Sequence, residues 1–339
     1  MNLTIALDAM GGDYGPSVIV PAAIKVLSQE PNVRLILVGD GQRLKETLDT
    51  HGARPGERLV VYHASQRVEM GDEVAVALRS KKDSSMRVAI NLVKEGTAQA
   101  CISAGNTGAL MAMARFVLKT LPGVDRPAIC TSVPSLTGHA HLLDLGANID
   151  STPAHLFQFG IMGSVLVSAV DNNPSPRIGL LNVGEEEIKG NERVKEAGRL
   201  LSAANINYIG FVEGDGIWRG DADVVVCDGF AGNVALKASE GVAKMIFHFV
   251  KREFKSSLLS RFAGLASKPV LGRLGAKIDP RRYNGASLLG LRGIVIKSHG
   301  GADVFSFANA IKQAMAECRK NVPSRISEQI ESMLKDKAD

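Results

Sequence analysis

Residues 223–237 read DVVVCDGFAGNVALK, and the fold follows from how they are parsed. Val224, Val225, Val226 and Cys227 form a short continuous apolar run, the pattern of a strand buried on both faces of a parallel sheet. Asp228-Gly229-Phe230-Ala231-Gly232-Asn233 then turns into a helix with apolar residues at helical spacing. Such a junction leaves free backbone N–H groups at the carboxyl end of the strand. Open α/β sheets bind ligands there, and a helix N-terminus favours an anion. Phosphate is therefore the first ligand to consider, with an ordinary strand-to-helix turn as the plain alternative.

The same junction recurs along the chain. Residues 3–7 (LTIAL) lead into Asp8-Ala9-Met10-Gly11-Gly12-Asp13 and a helix over 18–27. Residues 99–102 lead into Ser103-Ala104-Gly105-Asn106-Thr107-Gly108-Ala109 and a helix to 118. Asn106 and Thr107 are suited to cap that helix or to bind an oxygen. Residues 177–182 lead into the 184–191 turn with Lys189, and 293–297 into Ser298-His299-Gly300-Gly301-Ala302-Asp303. Strands are also expected at 34–38 and 206–211. Gly39-Asp40-Gly41 is a partial dinucleotide fingerprint, but Leu44 stands where its third glycine belongs, so a tight turn reads better. Residues 128–133 and 141–145 read as an antiparallel hairpin. Helices are expected at 72–79, 84–95, 153–170, 303–320 and 324–334.

The pattern predicts an α/β fold of one large or two ordinary domains, with a mostly parallel, doubly wound sheet and an antiparallel hairpin. In such a sheet the strand ends share one edge, so several glycine-rich turns are expected to meet in one cleft.

The composition, 45% hydrophobic and 22% charged over 339 residues, suits a soluble α/β protein. No run reads as a membrane span, and Met1-Asn2-Leu3-Thr4 enters the first strand directly, so no signal peptide is expected. Cys101, Cys130, Cys227 and Cys318 are too scattered for a disulfide frame or a zinc site. They read as reduced core residues of a cytosolic protein. No metal or cofactor is expected.

Charge is unevenly distributed. Residues 240–282 hold ten Lys/Arg against three acids, in a chain whose net charge is +5. The same region carries Leu258, Leu259, Phe262 and Leu265 among serines, glycines and basic residues. This fits a protruding helical hairpin with an apolar, basic tip that touches a membrane or a partner. A hairpin buried in a dimer fits as well, and both can hold. The patch implies an acidic partner or an anionic surface.

The ordered set of motifs resembles the phosphate acyltransferases of bacterial phospholipid synthesis. The motifs are Asp8–Asp13, Ser103 to Ala109, Leu143-Asp144-Leu145-Gly146-Ala147-Asn148, Asn182-Val183-Gly184-Glu185-Glu186, Asp228 to Val234, and Lys297-Ser298-His299-Gly300. The resemblance spans about residues 3–313. It implies a three-layer α/β/α fold akin to the isocitrate and isopropylmalate dehydrogenases, as one domain over 1–339, and attack of inorganic phosphate on an acyl-acyl carrier protein thioester. It further implies a homodimer peripherally bound to the inner face of the cell membrane, and no nucleic-acid partner.

Phosphate is its own nucleophile, and a thiolate leaves without acid help. The site must therefore hold phosphate near the carbonyl and stabilise the developing oxyanion. The side-chain candidates for these contacts are Asn106, Lys189, Asn233 and His299, with backbone at Gly105, Asn106, Thr107, Gly108, Gly229 and Gly232. Asp8 and Asp228 are expected to orient donors such as Lys189 or His299, or to cap helices. Asp228 as a base is less favoured. The rivals are a phosphate acetyltransferase using coenzyme A, a hydroxyacid dehydrogenase, and a non-enzymatic lipid- or phosphate-responsive scaffold.

Overall fold

The structure, a computed structural model, describes residues 3–335; Met1, Asn2 and residues 336–339 lie outside it. Its strands are β1 (Leu3–Asp8), β2 (Val33–Gly39), β3 (Leu59–His63), β4 (Ala100–Ser103), β5 (Ala128–Ser135), β6 (Gly138–Leu143), β7 (Ile178–Leu181), β8 (Tyr208–Val212), β9 (Val224–Val226), β10 (Ala286–Leu289) and β11 (Ile294–Lys297). They form a single sheet in the order β3-β2-β1-β4-β11-β10-β5-β6-β9-β7-β8.

The helices are α1 (Pro16–Gln29), α2 (Gly41–Thr50), α3 (Val74–Ser80), α4 (Ser85–Lys94), α5 (Thr107–Leu118), α6 (Pro153–Val170), α7 (Glu192–Ser202), α8 (Gly216–Arg219), α9 (Gly229–Glu253), α10 (Leu258–Ile278), α11 (Val304–Lys320) and α12 (Val322–Lys335). They cover both faces of the sheet, giving the three layers expected.

Local chemistry explains the helix starts. Asp40 caps α2 by accepting from the N–H groups of Gln42 (3.0 Å) and Arg43 (3.1 Å). Leu44 is fully buried in the core. The partial fingerprint at residues 39–41 is thus a capped tight turn. Thr152 and His155 form a reciprocal capping box at the start of α6, with Pro153 at its first position. By length and composition α6 could span a membrane, which the reading of the sequence did not expect. Its Leu156, Phe159 and Leu166 are instead buried in the core against the sheet.

One expectation is corrected. The carboxyl ends of the strands do not share one edge. β10 lies antiparallel between β11 and β5, and β5 pairs antiparallel with β6. These three antiparallel pairings leave β6, β9, β7 and β8 running opposite to β1, β4 and β11.

The register compensates. One row of paired residues crosses the whole sheet: Val61, Leu37, Leu7, Ile102, Ile296, Ser287, Cys130, Leu143, Val226, Leu180, Phe211. β1, β4, β11 and β7 end one residue past that row, and β6 and β9 end on it. Two half-sheets of opposite direction are therefore staggered so that their carboxyl ends stop at one level.

The helix α9 starts on one side of this row, where β9 ends, and rises across the sheet. Its Ala235 and Leu236 pack on the cluster of Val133, Ala140, Leu142 and Val225. Along one face of the sheet that cluster adjoins the one containing Ile129, Leu288 and Val295. Side chains alternate along a strand, so Lys297, two residues after Val295, points to this same face.

Candidate anion site

Three turns interlock where β1, β4 and β11 end. Asp8 is buried, and its carboxylate accepts from Ser85 Oγ and Ser103 Oγ, each at 2.5 Å. Ser103 Oγ in turn accepts from Gly105 N–H at 3.0 Å. The Ser298 N–H reaches Ser103 O at 2.9 Å, and Asp13 N–H reaches Gly300 O at 3.0 Å. Glycine is required at this junction. A Cβ on Gly11 would lie 2.6 Å from Asp8 Oδ2, and one on Gly12, at φ +80°, 2.9 Å from Gly300 O. Burial pushes the Asp8 carboxyl up, against the two serines, the Met10 N–H and the nearby Lys297 charge, which favour ionisation.

Lys297 lies at the centre. Its ammonium donates to Ala104 O at 3.3 Å and to Ser298 O. Burial pushes its pKa down to about 8, and the charge of Lys237 adds to the effect, while Asp8 and Asp13 oppose it. His299 is fixed by its own N–H, which donates to Asn284 Oδ1 at 2.9 Å. Asn284 is held through Ser298 Oγ and Ser306 O, both at 2.9 Å. His299 Nδ1 accepts from Gly301 N–H at 3.0 Å, which leaves Nε2 as the donor of the neutral ring. Burial holds the imidazole below its usual pKa, with Lys237 and Lys297 acting in the same direction.

Lys237 thus reaches this cluster from the other half-sheet, carried by α9. Asn233, Lys237 and Glu240 stand four and three residues apart and share one stripe of that helix. The Lys237 ammonium pairs with Glu240 at 3.2 Å, and both Asn233 and Lys237 are exposed. The charges of Lys237 and Lys297 thus both act on His299, with Glu240 and Asp13 opposing them.

The start of α5 contributes less side-chain chemistry than expected. Asn106 Oδ1 caps the helix by accepting from Ala109 N–H at 3.0 Å, and its Nδ2 donates to Met70 O (2.9 Å) and Asp72 O (3.2 Å). Thr107 and Gly108 are exposed, and their N–H groups have no acceptor among the described residues.

The opening stretch is built differently from the expectation. Asp228 caps α9 by accepting from Phe230 N–H at 2.9 Å, and its other oxygen accepts from Ser151 N–H at 2.8 Å. Both oxygens are thereby engaged, which is the capping role and not that of a base. Gly229 N–H donates to Asn148 O at 2.9 Å. A Cβ on Gly229 would lie 2.5 Å from Asn148 O, and one on Gly232 2.0 Å from Asp144 O. These two glycines admit the 144–148 turn, whose buried Asp144 carboxylate gathers the N–H groups of Ile129, Leu145, Ala147 and Asn148. The space in front of the helix is filled by the protein's own backbone.

Lys189 is not brought to the cluster. It follows β7, with four strands between β7 and β11, and pairs with Glu186 at 2.8 Å. Lys297, Asn284 and Ser85 were missed in the sequence. Lys297 carried a readable signal, since an amine at the end of a strand just before a glycine turn is the argument that singled out Lys189. Lys237 was also missed, because no local pattern in the sequence tells that its charge acts on Lys297 and His299.

One sheet of two opposed half-sheets, with helices on both faces, defines a three-layer α/β protein. Solved structures share the fold. A phosphotransacetylase from Streptococcus pyogenes matches with a TM-score of 0.63 at 18% identity, covering 94% of each chain. A 4-hydroxythreonine-4-phosphate dehydrogenase from Klebsiella pneumoniae matches at 0.52 and 16%, covering 93% of this chain and 97% of its own.

The family model described as "Fatty acid synthesis protein" matches residues 3–325, and the chain belongs to that family. Relatives named "Phosphate acyltransferase" include one from Methylococcus capsulatus, 65% identical over 96% of each chain, and one from Nitrosococcus oceani, 60% identical over 98% of each. The protein is an acyltransferase, as the motifs had implied.

Proposed function

We propose that the enzyme transfers a fatty acyl group from acyl-acyl carrier protein to inorganic phosphate. A phosphate oxygen bonds to the thioester carbonyl carbon, the carbon–sulfur bond breaks, and the sulfur leaves as the carrier protein's thiolate. The products are acyl phosphate and free carrier protein, and the acyl phosphate feeds phospholipid synthesis. The observation that carries this reading is the interlocked β1, β4 and β11 turns that hold Lys297 and His299, within reach of the Lys237 charge. Lys297 and Lys237 hold the phosphate dianion. His299 Nε2–H and Asn233 donate to the phosphate or to the carbonyl oxygen as it gains charge. Thr107 and Gly108 N–H groups add donors from the facing helix.

The basic helices α9 and α10 suit two acidic partners, the carrier protein and an anionic membrane. Leu258, Leu259, Phe262 and Leu265 follow directly on the turn between these helices and are 67–81% exposed. They form the tip that enters the headgroup region of the inner face of the cell membrane, with Lys251, Arg252 and Lys255 behind it. Val242, Met245, Ile246 and Phe249 on α9 are also exposed and supply the apolar face that a second copy covers in a homodimer.

The test incubates the protein with long-chain acyl-acyl carrier protein and phosphate and follows free carrier protein and acyl phosphate. Phosphate-dependent loss of the thioester is expected. Turnover of acetyl-coenzyme A but not of acyl-acyl carrier protein would favour the acetyltransferase reading. Binding of phosphate without turnover of either would favour a regulatory scaffold.

A further inference from the structure

On the far face of the sheet, away from Lys297, three metal-ligating side chains converge without a role in the chemistry above. His139 and His141 stand two apart on β6, so both project from one face, opposite to Ala140 and Leu142. Asp171 is the residue that ends α6. His139 Nε2 lies 2.9 Å and His141 Nε2 2.8 Å from the same Asp171 Oδ2. All three ligand atoms lie within 4.8 Å of one another.

We propose that His139, His141 and Asp171 form a site for a divalent transition-metal ion of the zinc class. The donor set, two imidazole nitrogens and one carboxylate oxygen, is the borderline N/O set that such ions select, and it leaves a position open for water. The spacing fits. Ligand atoms about 2.1 Å from a zinc ion stand about 3.0–3.4 Å apart between right-angled and tetrahedral geometry. Only small side-chain shifts are needed to admit the ion in place of the present hydrogen bonds.

The ligands are also held in place. The His141 side chain is 4% exposed, and Ser132 Oγ sits 3.3 Å from its Nδ1. That hydroxyl can accept the Nδ1 proton once Nε2 is the ligand, the outer contact that metal-binding histidines favour. The His139 side chain is 38% and the Asp171 side chain 24% exposed, so an ion can enter from solvent. Other charge nearby is committed, since Asp223 is bound by Arg177 at 2.8 Å. An ion here would tie the β5–β6 hairpin to the end of α6, and the site would be structural, on the face of the sheet opposite to the anion pocket.

The test is equilibrium dialysis of the chelator-treated full-length protein against micromolar zinc chloride, with metal content and thermal midpoint measured together. The expected result is a single zinc per chain and a higher midpoint in the wild type. His139→Gln, a change at a partly exposed position, is expected to keep the metal-free midpoint and lose both responses. Asp171→Asn is expected to weaken binding about tenfold or more. Absence of saturable zinc binding, or equal binding by wild type and His139→Gln, would overturn the assignment.

Discussion

Replacing Lys297 by methionine should make the protein more stable and far less active. The lysine pKa falls from its ordinary 10.5 to about 8, chiefly because the amine is buried. A lowered native pKa means that the charged lysine is disfavoured in the fold. The sign follows by linkage. Below about pH 8 both native and unfolded states carry the proton, and the native state bears the full cost. At about 1.36 kcal/mol per pKa unit the shift corresponds to about 3 kcal/mol. As pH rises from 8 towards 10.5 the native lysine is already neutral while the unfolded one is still losing its proton, and the cost fades.

Lys297→Met removes the charge and keeps most of the side-chain volume. It gives up the hydrogen bonds to Ala104 O and Ser298 O, worth about 1 kcal/mol each. The net gain at pH 7 is therefore about 1–2 kcal/mol, shrinking above about pH 8 and reversing near about pH 9. Urea unfolding of both proteins across this range reads it directly. In the same variant the KM for phosphate should rise about 10–100-fold, the effect of losing a charge-assisted bond of about 1.5–3 kcal/mol. A variant less stable than wild type at pH 7, or one with unchanged KM for phosphate, would refute the view that this buried charge is kept for anion binding.

Further expectations can be measured with the same methods. Glu317 is fully buried against Ser287 and Gln313, and burial raises its pKa to about 7. The native acid stays neutral while the unfolded one ionises, so its contribution falls between pH 4.5 and 7 and is flat above. Glu317→Gln should remove a fall of about 3 kcal/mol between pH 5 and 7.5 in urea unfolding. Lys189→Ala should leave turnover within about twofold, since Lys189 follows β7, four strands from β11, and pairs with Glu186; a loss of tenfold or more would bring that turn into the reaction. Leu258→Glu with Leu259→Glu should weaken binding to anionic vesicles at least 100-fold, from about 1.5–3 kcal/mol per leucine, with turnover of soluble substrate kept; unchanged vesicle binding would exclude the tip.

The fold was largely legible because its signals are local. Apolar runs such as residues 224–226 and the glycine turn after each one report strand and junction without reference to the rest of the chain. β3 and β10 were not read. β10 is four residues, Ala286 to Leu289, and too short to show a period. That omission had a large consequence, because β10 is one of the strands that reverse the sheet. With the hairpin alone in view, every strand end belonged on one edge. The site suffered from the same cause: Asp8, Gly105 and His299 were each singled out, and they stand at the ends of adjacent parallel strands, while Lys189 lies four strands away. That the Lys237 charge acts on Lys297 depends on the tertiary arrangement alone.

On the proposed function, the reversal also explains why side chains supply the positive charge. In a sheet of one direction the ligand sits against helix N-termini, whose free N–H groups supply the positive field. Here the α9 N-terminus faces the other way and is closed by Asp228, Asn148 and the 144–148 turn. What reaches the pocket is the second turn of α9 and beyond, where backbone groups are already paired and only side chains can contribute. A lysine at residue 237, with Asn233 one turn before it, replaces the field that the helix end would have provided. The stretch that fixes the fold therefore acts on the anion through its far end, and substitutions at Asn233 or Lys237 should tell on phosphate binding where substitution of Asp228 tells on stability.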